Sequence, residues 1–191
     1  MNLPARVTVM EESDETLMRR VGDGDPEACR ALVERYLGRI VAFAARTLGN
    51  PADAEDVAQE TFVRLWSGAR RWRPGEARLP TWLHRVALNL CLDRLRRRRE
   101  APLDSVPEPV DPSPPTIVLL ERQAIGLRVN RELAALPPQQ RIAITLCHYQ
   151  GLGNIEAADV MSVSVEALES LLARGRRTLR ARLRPDLGDE A

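Results

Sequence analysis

Residues 154–184 read NIEAADVMSVSVEALESLLARGRRTLRARLR, and this stretch decides the fold. Asn154 can cap a short helix, and Ser164, at the end of the three-residue turn 162–164, can cap a longer helix that runs to about Arg184. A short helix, a tight turn and a longer helix make a helix-turn-helix, in which the second helix enters the major groove of DNA. The sequence therefore predicts a DNA-binding element.

The longer helix of this element has two faces of different chemistry. One face is apolar at helical spacing and is predicted to be buried: Val165, Leu168, Leu172 and Leu179. Another face is polar and basic and is the candidate DNA face: Glu166, Ser170, Ala173, Arg177 and Arg180. Arginine pairs with phosphate through two parallel hydrogen bonds, so this second face is suited to a nucleic-acid backbone.

Charge is sorted along the chain, although the net charge is only +1. Residues 70–99 hold ten arginines against two acids, and residues 174–184 hold six arginines and no acid. Residues 53–60 hold four carboxylates and no base, and the chain contains no lysine. This sorting indicates separate sites for anionic and cationic partners, and the alternative for any one cluster is a solvated helix face.

Helices are also predicted upstream of the helix-turn-helix. Asp25-Pro26 and Asn50-Pro51 each combine a capping side chain with a proline suited to a first turn, and Gly49 ends the helix between them. The helix that starts at Asn50 is predicted to bury an apolar stripe of Val57, Phe62, Leu65 and Trp66.

A loop and a third helix follow. Residues 67–80 contain two glycines and two prolines and are predicted to be a loop, after which Thr81 caps a helix that reaches about Arg99. Because no period-two pattern of a β-strand occurs in the sequence, the fold class is predicted to be all-α.

The chain is predicted to consist of two small helical domains. Residues 101–115 hold six prolines and three acids, a composition typical of an extended linker. The first domain is then 14–100 and the second 116–185, with further helices at about 117–135 and 138–149.

The acidic cluster lies on the helix that starts at Asn50. Asp56, Gln59, Glu60 and Val63 stand at i, i+3, i+4 and i+7, so they share one face. An acidic and amide-bearing face beside an apolar side chain is suited to docking a basic helical partner. The alternative is an ordinary amphipathic helix.

A second stripe lies on the helix that starts at Thr81. Trp82, Arg85, Asn89 and Arg96 stand at i, i+3, i+7 and i+14. An aromatic ring beside Arg and Asn supplies a stacking surface and donors for base edges, as a flipped or single-stranded base requires. The alternative for Trp82 taken alone is a core position, but the run of four arginines that follows favours nucleic acid.

Catalysis, metals and membranes are disfavoured by the sequence. The two histidines are distant, and no Gly-rich phosphate loop or hydrolase motif is present, so the chain is predicted not to be an enzyme. The three cysteines lack the spacing of a disulfide framework or zinc site, so no cofactor or metal is predicted. No signal peptide or membrane-spanning run is found, and the protein is expected to be cytosolic and not inserted in a membrane.

Three motifs together resemble one family. DAEDVAQETFVRLW (53–66), TWLHRVALNLCLDRLRRRR (81–99) and LPPQQRIAITLCHYQGLGNIEAADVMSVSVEALESLLARGRRTLR (136–180) have the order and spacing of bacterial sigma factors of the extracytoplasmic-function (ECF) type, within the sigma-70 family. Those sigma factors consist of region 2 and region 4 joined by a linker. The resemblance covers residues 14–184.

The resemblance implies roles for individual residues. Core RNA polymerase, through the clamp helices of its largest catalytic subunit, would bind Asp53, Asp56, Gln59, Glu60 and Val63. The segment from Arg70 to Arg99 would open and read the −10 promoter element, with Trp82, Arg85, Asn89, Arg96 and Arg97 as its DNA-binding residues. The −35 element would be read by Glu166, Glu169, Ser170, Arg174, Arg176, Arg177 and Arg180. The acidic linker would thread through the polymerase, and an anti-sigma factor, often membrane-anchored in this family, would hold the protein inactive.

One departure from the family pattern lies in the recognition helix. Relatives carry Lys and Arg early in this helix, whereas here the stretch reads LESLLARGR, with Glu169 and Leu171 at positions that are usually basic. The base contacts of the family therefore transfer poorly. Glu169 is a possible acceptor for a cytosine amino group, and a distinct promoter preference is expected.

Two other functions remain open on the residues alone. One is a two-domain regulator that binds DNA without polymerase, which would have to explain the acidic face and the Trp82 stripe separately. The other is an adaptor or anti-termination protein that binds RNA by itself. Binding to core polymerase distinguishes a sigma factor from both.

Overall fold

The computed structural model describes residues 12–73, 78–100 and 117–184; the side chains of Arg99 and residues 117–125 lie outside this description. These residues form α1 (Asp14–Gly22), α2 (Pro26–Leu48), α3 (Pro51–Gly68), α4 (Leu79–Glu100), α5 (Ile117–Ala134), α6 (Pro138–Ile144), α7 (Asn154–Met161) and α8 (Val165–Leu183). A 3-10 turn (Ala69–Arg71) follows α3, and a π-turn (Thr145–Tyr149) extends α6. Every regular element in the described ranges is helical, which confirms the all-α prediction. The linker predicted at 101–115 lies outside the described residues.

Helix α1 was not predicted from the sequence. Its local signal is a serine cap: the Ser13 hydroxyl accepts a hydrogen bond from the Thr16 backbone N–H at 3.2 Å. Leu17, Met18 and Val21 then point into the core. The helix is only nine residues long, so its periodicity is weak, and it depends on packing against α2 for its stability.

The caps of α2 and α3 are the predicted ones. An Asp25 carboxylate oxygen accepts from the Glu27 N–H at 2.9 Å, and the Asn50 side-chain oxygen accepts from the Asp53 N–H at 3.1 Å. Gly49, with φ of 68°, ends α2 in the left-handed conformation that favours glycine. These local hydrogen bonds fix where the two helices begin and end.

Helix α4 begins earlier than predicted. It starts at Leu79, so Thr81 lies inside the first turn and is buried, and the prediction that it caps the helix is wrong. Pro80 fits the first turn because the N–H that it lacks has no intrahelical acceptor there. Leu79 is buried against the core, which extends the helix towards its amino end.

The carboxyl-terminal half contains the predicted helix-turn-helix. Ser162 adopts the left-handed conformation, with φ of 55°, and the Ser164 hydroxyl accepts from the Ala167 N–H at 3.2 Å to start α8. The cap of α7 differs from the prediction: Gly153 precedes the helix, and its N–H donates to the Glu156 carboxylate at 3.1 Å. Asn154 is therefore the first helical residue, and its side-chain amide donates to the Glu169 carboxylate at 3.2 Å.

The two halves of the chain pack against each other. Helices α1 to α4 enclose Leu32, Ile40 and Phe43, while α5 to α8 enclose Leu146 and Leu168. Helix α4 lies against α7, and α2 lies against α6 and the π-turn. Within the described ranges, no helix is both long enough and apolar enough to cross a membrane.

Candidate functional site

One side of α3 presents acidic, amide and apolar groups together. Asp56, Gln59, Glu60 and Val63 occupy this side, as the spacing predicts. The Asp56 side chain is 64% exposed and Val63 is 48% exposed. Glu60 accepts a hydrogen bond from Arg64 at 3.0 Å on the same helix. This face is available to a partner with complementary positive charge.

Two arginines of α4 turn towards α3. Arg98 forms an ion pair with Asp53 and also donates to the Leu48 carbonyl at 3.3 Å. Arg94 lies 3.8 Å from the Asp56 carboxylate. Arg94 and Arg98 therefore stabilise the contact between α3 and α4. They do not point away from α3, as a side chain that meets nucleic acid would.

Trp66 is not part of the buried stripe of α3. It is 44% exposed, whereas Phe62 and Leu65 are buried, so the prediction for Trp66 is wrong. The reason is angular: Trp66 lies at i+7 from Gln59 and next to Val63, at the edge of the acidic face. An exposed tryptophan beside this face adds apolar area to it, and its spacing from Gln59 was the signal for this.

Trp82 lies in the wall of a cavity of about 320 Å³ between α4 and the 3-10 turn. It is half-buried and packs edge-to-face on Trp72, with ring centroids 6.2 Å apart and planes at 90°. Met18 and Leu65 form the apolar floor, while Arg71, Arg73 and Arg85 stand at the rim. An aromatic and apolar cavity with a guanidinium rim can receive a planar, anionic group such as a nucleotide.

Trp72, Arg71 and Arg73 also line this cavity, although they were not among the predicted site residues. The Trp72 indole Nε1 is buried and has no hydrogen-bond partner among the described residues, so a donor faces this region unused. The sequence RRWR at 70–73 places one aromatic residue among three arginines, and that pattern was the available signal. Arg71 and Arg73 were counted in the basic cluster of residues 70–99, but neither they nor Trp72 were singled out as site residues.

The other members of the Trp82 stripe share one side of α4. Asn89 and Arg96 are exposed, and Arg96 donates to Asp93 at 2.9 Å one turn earlier. Arg97 is also exposed. Arg85 differs from these, because its guanidinium donates to the Asp159 carbonyl of α7 at 2.9 Å and also pairs with the Asp159 carboxylate.

All seven residues predicted for the recognition helix are exposed on α8: Glu166, Glu169, Ser170, Arg174, Arg176, Arg177 and Arg180. The pKa of the Glu166 carboxyl lies below its usual range because its own backbone N–H and the Ser164 hydroxyl hydrogen-bond to it. Glu169 accepts from the Asn154 amide of α7 at 3.2 Å. The face therefore carries acids at its amino end and arginines towards its carboxyl end.

Leu171 and Gly175 of α8 belong to the interior. Leu171 is only 7% exposed, so at this usually basic position the chain has a core residue in place of a DNA contact. Gly175 is also buried, and a Cβ atom placed there would lie 2.6 Å from the Ile144 Cδ1. The side of α8 that packs on α6 is thus wider than the predicted stripe.

Comparisons with known proteins agree with this architecture. Residues 32–101 match Sigma-70 region 2, and residues 127–179 match Sigma-70 region 4. The chain is 35% identical to the ECF RNA polymerase sigma factor SigE of Mycolicibacterium smegmatis, over 90% of this chain and 69% of that protein. It is 30% identical to the RNA polymerase sigma-H factor of Pseudomonas aeruginosa, over 92% of this chain and 96% of that protein.

A solved structure has the same overall arrangement. The chain aligns with CnrH, solved in complex with the cytosolic domain of CnrY, with a TM-score of 0.69 and 30% identity over 92% of this chain and 99% of that one. Both the sequence matches and this fold span the two halves in the same order. The chain therefore belongs to the extracytoplasmic-function sigma factors of the sigma-70 family, which are transcription initiation factors.

Proposed function

We propose that this sigma factor binds core RNA polymerase through the exposed side of α3 and then directs initiation at promoters with paired −35 and −10 elements. The supporting observation is that a docking face, an aromatic cavity and a helix-turn-helix follow one another in one chain, each with accessible side chains. Neither a polymerase-independent regulator nor an RNA-binding adaptor requires all three.

The α3 face is suited to the clamp helices of the largest polymerase subunit. Asp56 and Glu60 supply negative charge, and Val63 with the exposed Trp66 supplies apolar area beside it. Interfaces of this kind gain much of their affinity from a few large side chains at the centre and from charge complementarity around them. Asp53 contributes less directly, because Arg98 already pairs with it.

The cavity beside Trp82 is proposed to hold a flipped base of the −10 element. Opening the duplex costs a few kcal/mol of unstacking, which contacts to the single strand must offset. Trp72 and Trp82 supply aromatic surface, and Arg71, Arg73 and Arg85 are placed at the rim to meet phosphate. Asn89, Arg96 and Arg97 would contact the adjoining strand.

The α8 face is proposed to read the −35 element in the major groove. Arg174, Arg176, Arg177 and Arg180 would contact phosphates or guanine edges, and Glu169 would accept from a cytosine amino group. The Asn154 amide holds the Glu169 carboxylate from one side. Because the amino end of α8 is acidic, this face should prefer a different sequence from a recognition helix that begins with basic residues.

The proposal includes regulation and location. By similarity to CnrH, solved with the cytosolic domain of CnrY, we infer that an anti-sigma partner holds the protein inactive until a signal releases it. The protein would act with polymerase in the cytoplasm and would itself catalyse no reaction. The proposed units are region 2 at 14–100, the linker at 101–115 and region 4 at 116–185.

The test is transcription from genomic DNA fragments by core polymerase with and without the purified protein, followed by sequencing of the transcript 5′ ends. We expect new start sites that share paired −35 and −10 elements upstream. The absence of any start site that depends on the protein would contradict the proposed function.

Asp56→Arg tests the docking face directly. The substitution places a positive charge on the acidic face and also repels Arg94, which lies 3.8 Å from Asp56. We expect the affinity for core polymerase, measured by surface plasmon resonance, to fall at least about tenfold, as for loss of a central interface charge. Glu34→Arg, at an exposed position of α2, makes the same charge change and should bind normally. Equal affinities would rule out this face.

A further inference from the structure

A second cavity adjoins the one that contains Trp82. Its volume is about 630 Å³, and it is lined by α1, by the residue that follows α1 and by the 3-10 turn. We call it the α1 cavity. Met18 and Trp72 line both this cavity and the Trp82 cavity, so the two cavities are neighbours that share these side chains as a wall.

The contact between α1 and the 3-10 turn is held by close backbone packing. A Cβ atom added to Gly22 would lie 3.4 Å from the Ala69 carbonyl oxygen, so the two segments approach closely there. The Arg70 Nε–H donates to the Gly22 carbonyl at 3.2 Å and reinforces the same contact. The α1 cavity therefore exists before any ligand binds, as is usual for binding cavities.

Several polar groups of the α1 cavity have no partner within the protein. The side chains of Glu15, Arg19 and Asp23 make no hydrogen bond or ion pair with another described residue. The buried Trp72 Nε1–H, at the shared wall, also lacks a partner among these residues. The cavity thus combines a cation, carboxylates and an indole donor with aromatic and apolar surface. This combination suits a nucleotide, which presents a phosphate, a flat ring and polar groups on the ring edge.

Of the two carboxylates, that of Asp23 belongs to the end of α1 that packs on the 3-10 turn. Asp23 directly follows Gly22, whereas Glu15 precedes Gly22 by seven residues, about 10 Å along the helix axis. Glu15 lies in the first turn of α1, where the helix dipole favours a carboxylate. Asp23 follows the last turn, where the dipole disfavours one, so the stability of α1 does not explain its presence there.

We propose that the α1 cavity binds a second unpaired nucleotide of the strand whose flipped base enters the Trp82 cavity, and that the Asp23 carboxylate selects guanine there. This proposal rests on the proposed function. Guanine presents N1–H and N2–H donors side by side, so the two carboxylate oxygens accept both hydrogen bonds at once. Adenine and cytosine present one amino group beside an acceptor, and thymine presents one N–H between two carbonyl oxygens, which a carboxylate repels.

The arginines of the α1 cavity are placed to meet the phosphates of the same strand. Within the described residues, Arg70 uses only its Nε–H, so its terminal nitrogens are available to a phosphate, as is the whole Arg19 guanidinium. Met18 and Trp72 supply the surface on which the base stacks. Because one strand joins the two nucleotides, binding in the α1 cavity also strengthens binding in the Trp82 cavity.

The test uses holoenzyme, assembled from core polymerase and the full-length protein, and measures its binding to fluorescein-labelled single strands by anisotropy. The strands are oligothymidines of about 12 nucleotides, within the length that a single-strand site covers, with one central dG or one central dI. Inosine lacks only the N2 amino group of guanine, so the ratio of the two affinities reports the second hydrogen bond. Asp23→Asn replaces the carboxylate with an amide of the same shape. Glu34→Gln is the control, with the same charge change at an exposed position of α2.

We expect wild type and Glu34→Gln to bind the dG strand at least about fivefold more tightly than the dI strand, the lower range for a bidentate contact to a base. Asp23→Asn should lose this preference, because an amide has one acceptor and its amino group repels the guanine donors. Glu15→Gln should keep the wild-type ratio. An excess of free guanosine monophosphate should displace little of the dG strand, because it lacks the contact in the Trp82 cavity.

Any of several results would overturn the proposal. Wild type could bind the dG and dI strands equally, or the preference could survive in Asp23→Asn or be lost instead in Glu15→Gln. Full displacement by guanosine monophosphate would make the cavity a site for a free nucleotide. Failure of the proposed function is distinguishable, because the wild-type holoenzyme would then bind every strand no more tightly than core polymerase alone, which would contradict both proposals.

Discussion

At the scale of single residues, His84 is an ionisable side chain buried in the interior of region 2. It is fully buried, its Nδ1–H donates to the Pro80 carbonyl at 2.7 Å, and its ring packs edge-to-face on Phe43 with centroids 5.4 Å apart. Burial lowers the pKa of the imidazole below its ordinary value, and the Pro80 carbonyl and the Gln150 side chain oppose this only in part. Burial thus favours the neutral form of the ring over the charged form in the folded protein.

A lowered pKa makes stability depend on pH in a defined direction. The unfolded chain gains a proton at His84 as the pH falls below about 6.5, while the folded protein resists it, so His84 destabilises the fold on the acid side. We expect the drop in urea-unfolding free energy between pH 7.5 and 5.5 to be smaller in His84→Leu than in wild type. His148→Leu, at an exposed site, should keep the full drop; an unchanged drop in His84→Leu would contradict this assignment.

Gly175 is a second residue whose environment predicts the effect of a substitution on stability. Its missing side chain admits Ile144, whose Cδ1 would lie 2.6 Å from an added Cβ. Gly175→Val should therefore lower the unfolding free energy by about 1–3 kcal/mol through overpacking, measured by urea titration. Gly38→Val on α2 is the control, because no atom lies within 4 Å of a Cβ there. Equal effects of the two substitutions would exclude the steric explanation.

At the scale of elements, local chemistry made some boundaries predictable and others not. The starts of α2, α3 and α8 follow from Asp25, Asn50 and Ser164, because each side chain hydrogen-bonds to its own first turn. The start of α4 does not, since Leu79 is recruited by burial in the core, which lies on distant elements. For the same reason α1, too short to form alone, was not predicted.

The residues of the candidate site also differ in whether local sequence or tertiary packing places them. The exposed residues of α3 and α8 follow from helical spacing, which places them on one face before any packing is known. Trp72 was not predicted as a site residue, because its segment has no helical period. Tertiary packing of the 3-10 turn brings it to Trp82. The burial of Leu171 was not predicted, because the buried side of α8 widens only where α6 packs against it.

The segment between α3 and α4 carries the next prediction. Trp82→Ala should reduce promoter opening about tenfold, because stacking of a base on an aromatic ring is worth about 1–3 kcal/mol. Opening is measured by permanganate reactivity of unpaired thymines, and closed-complex binding by gel shift at low temperature, which should change much less. Leu92→Ala, an exposed apolar position of α4, is the control. Equal loss in both assays would make Trp82 a packing residue only.

At the scale of the whole molecule, the packing of the two halves was not predictable from the chain. The periodicity of each half predicts its helices, but no local pattern predicts that Arg85 contacts Asp159, 74 residues away. Long-range pairs of exposed charges leave no periodic signal. Arg85 was consequently predicted on the nucleic-acid face, whereas in the structure its guanidinium pairs with Asp159 of the same chain.

A salt titration of the intact protein tests whether exposed charge pairs hold the two halves together. Screening weakens exposed ion pairs, and the Debye length falls from about 20 Å at roughly 20 mM salt to about 4 Å at roughly 500 mM. We expect the radius of gyration of wild type to rise over this range, whereas that of Asp159→Arg, in which position 159 already repels Arg85, should change little. A wild-type radius that is independent of salt would show that the halves are held together by forces other than these charges.

The pairing of Arg85 with Asp159 also has an evolutionary consequence. If one arginine contributes both to promoter choice and to the resting conformation, an inherited change at position 85 disturbs two traits together. A compensating change at position 159 would then restore only the resting conformation. Among homologous chains that adopt this arrangement, substitutions at the two positions should be statistically correlated, so new promoter preferences would arise in coordinated steps that involve both domains.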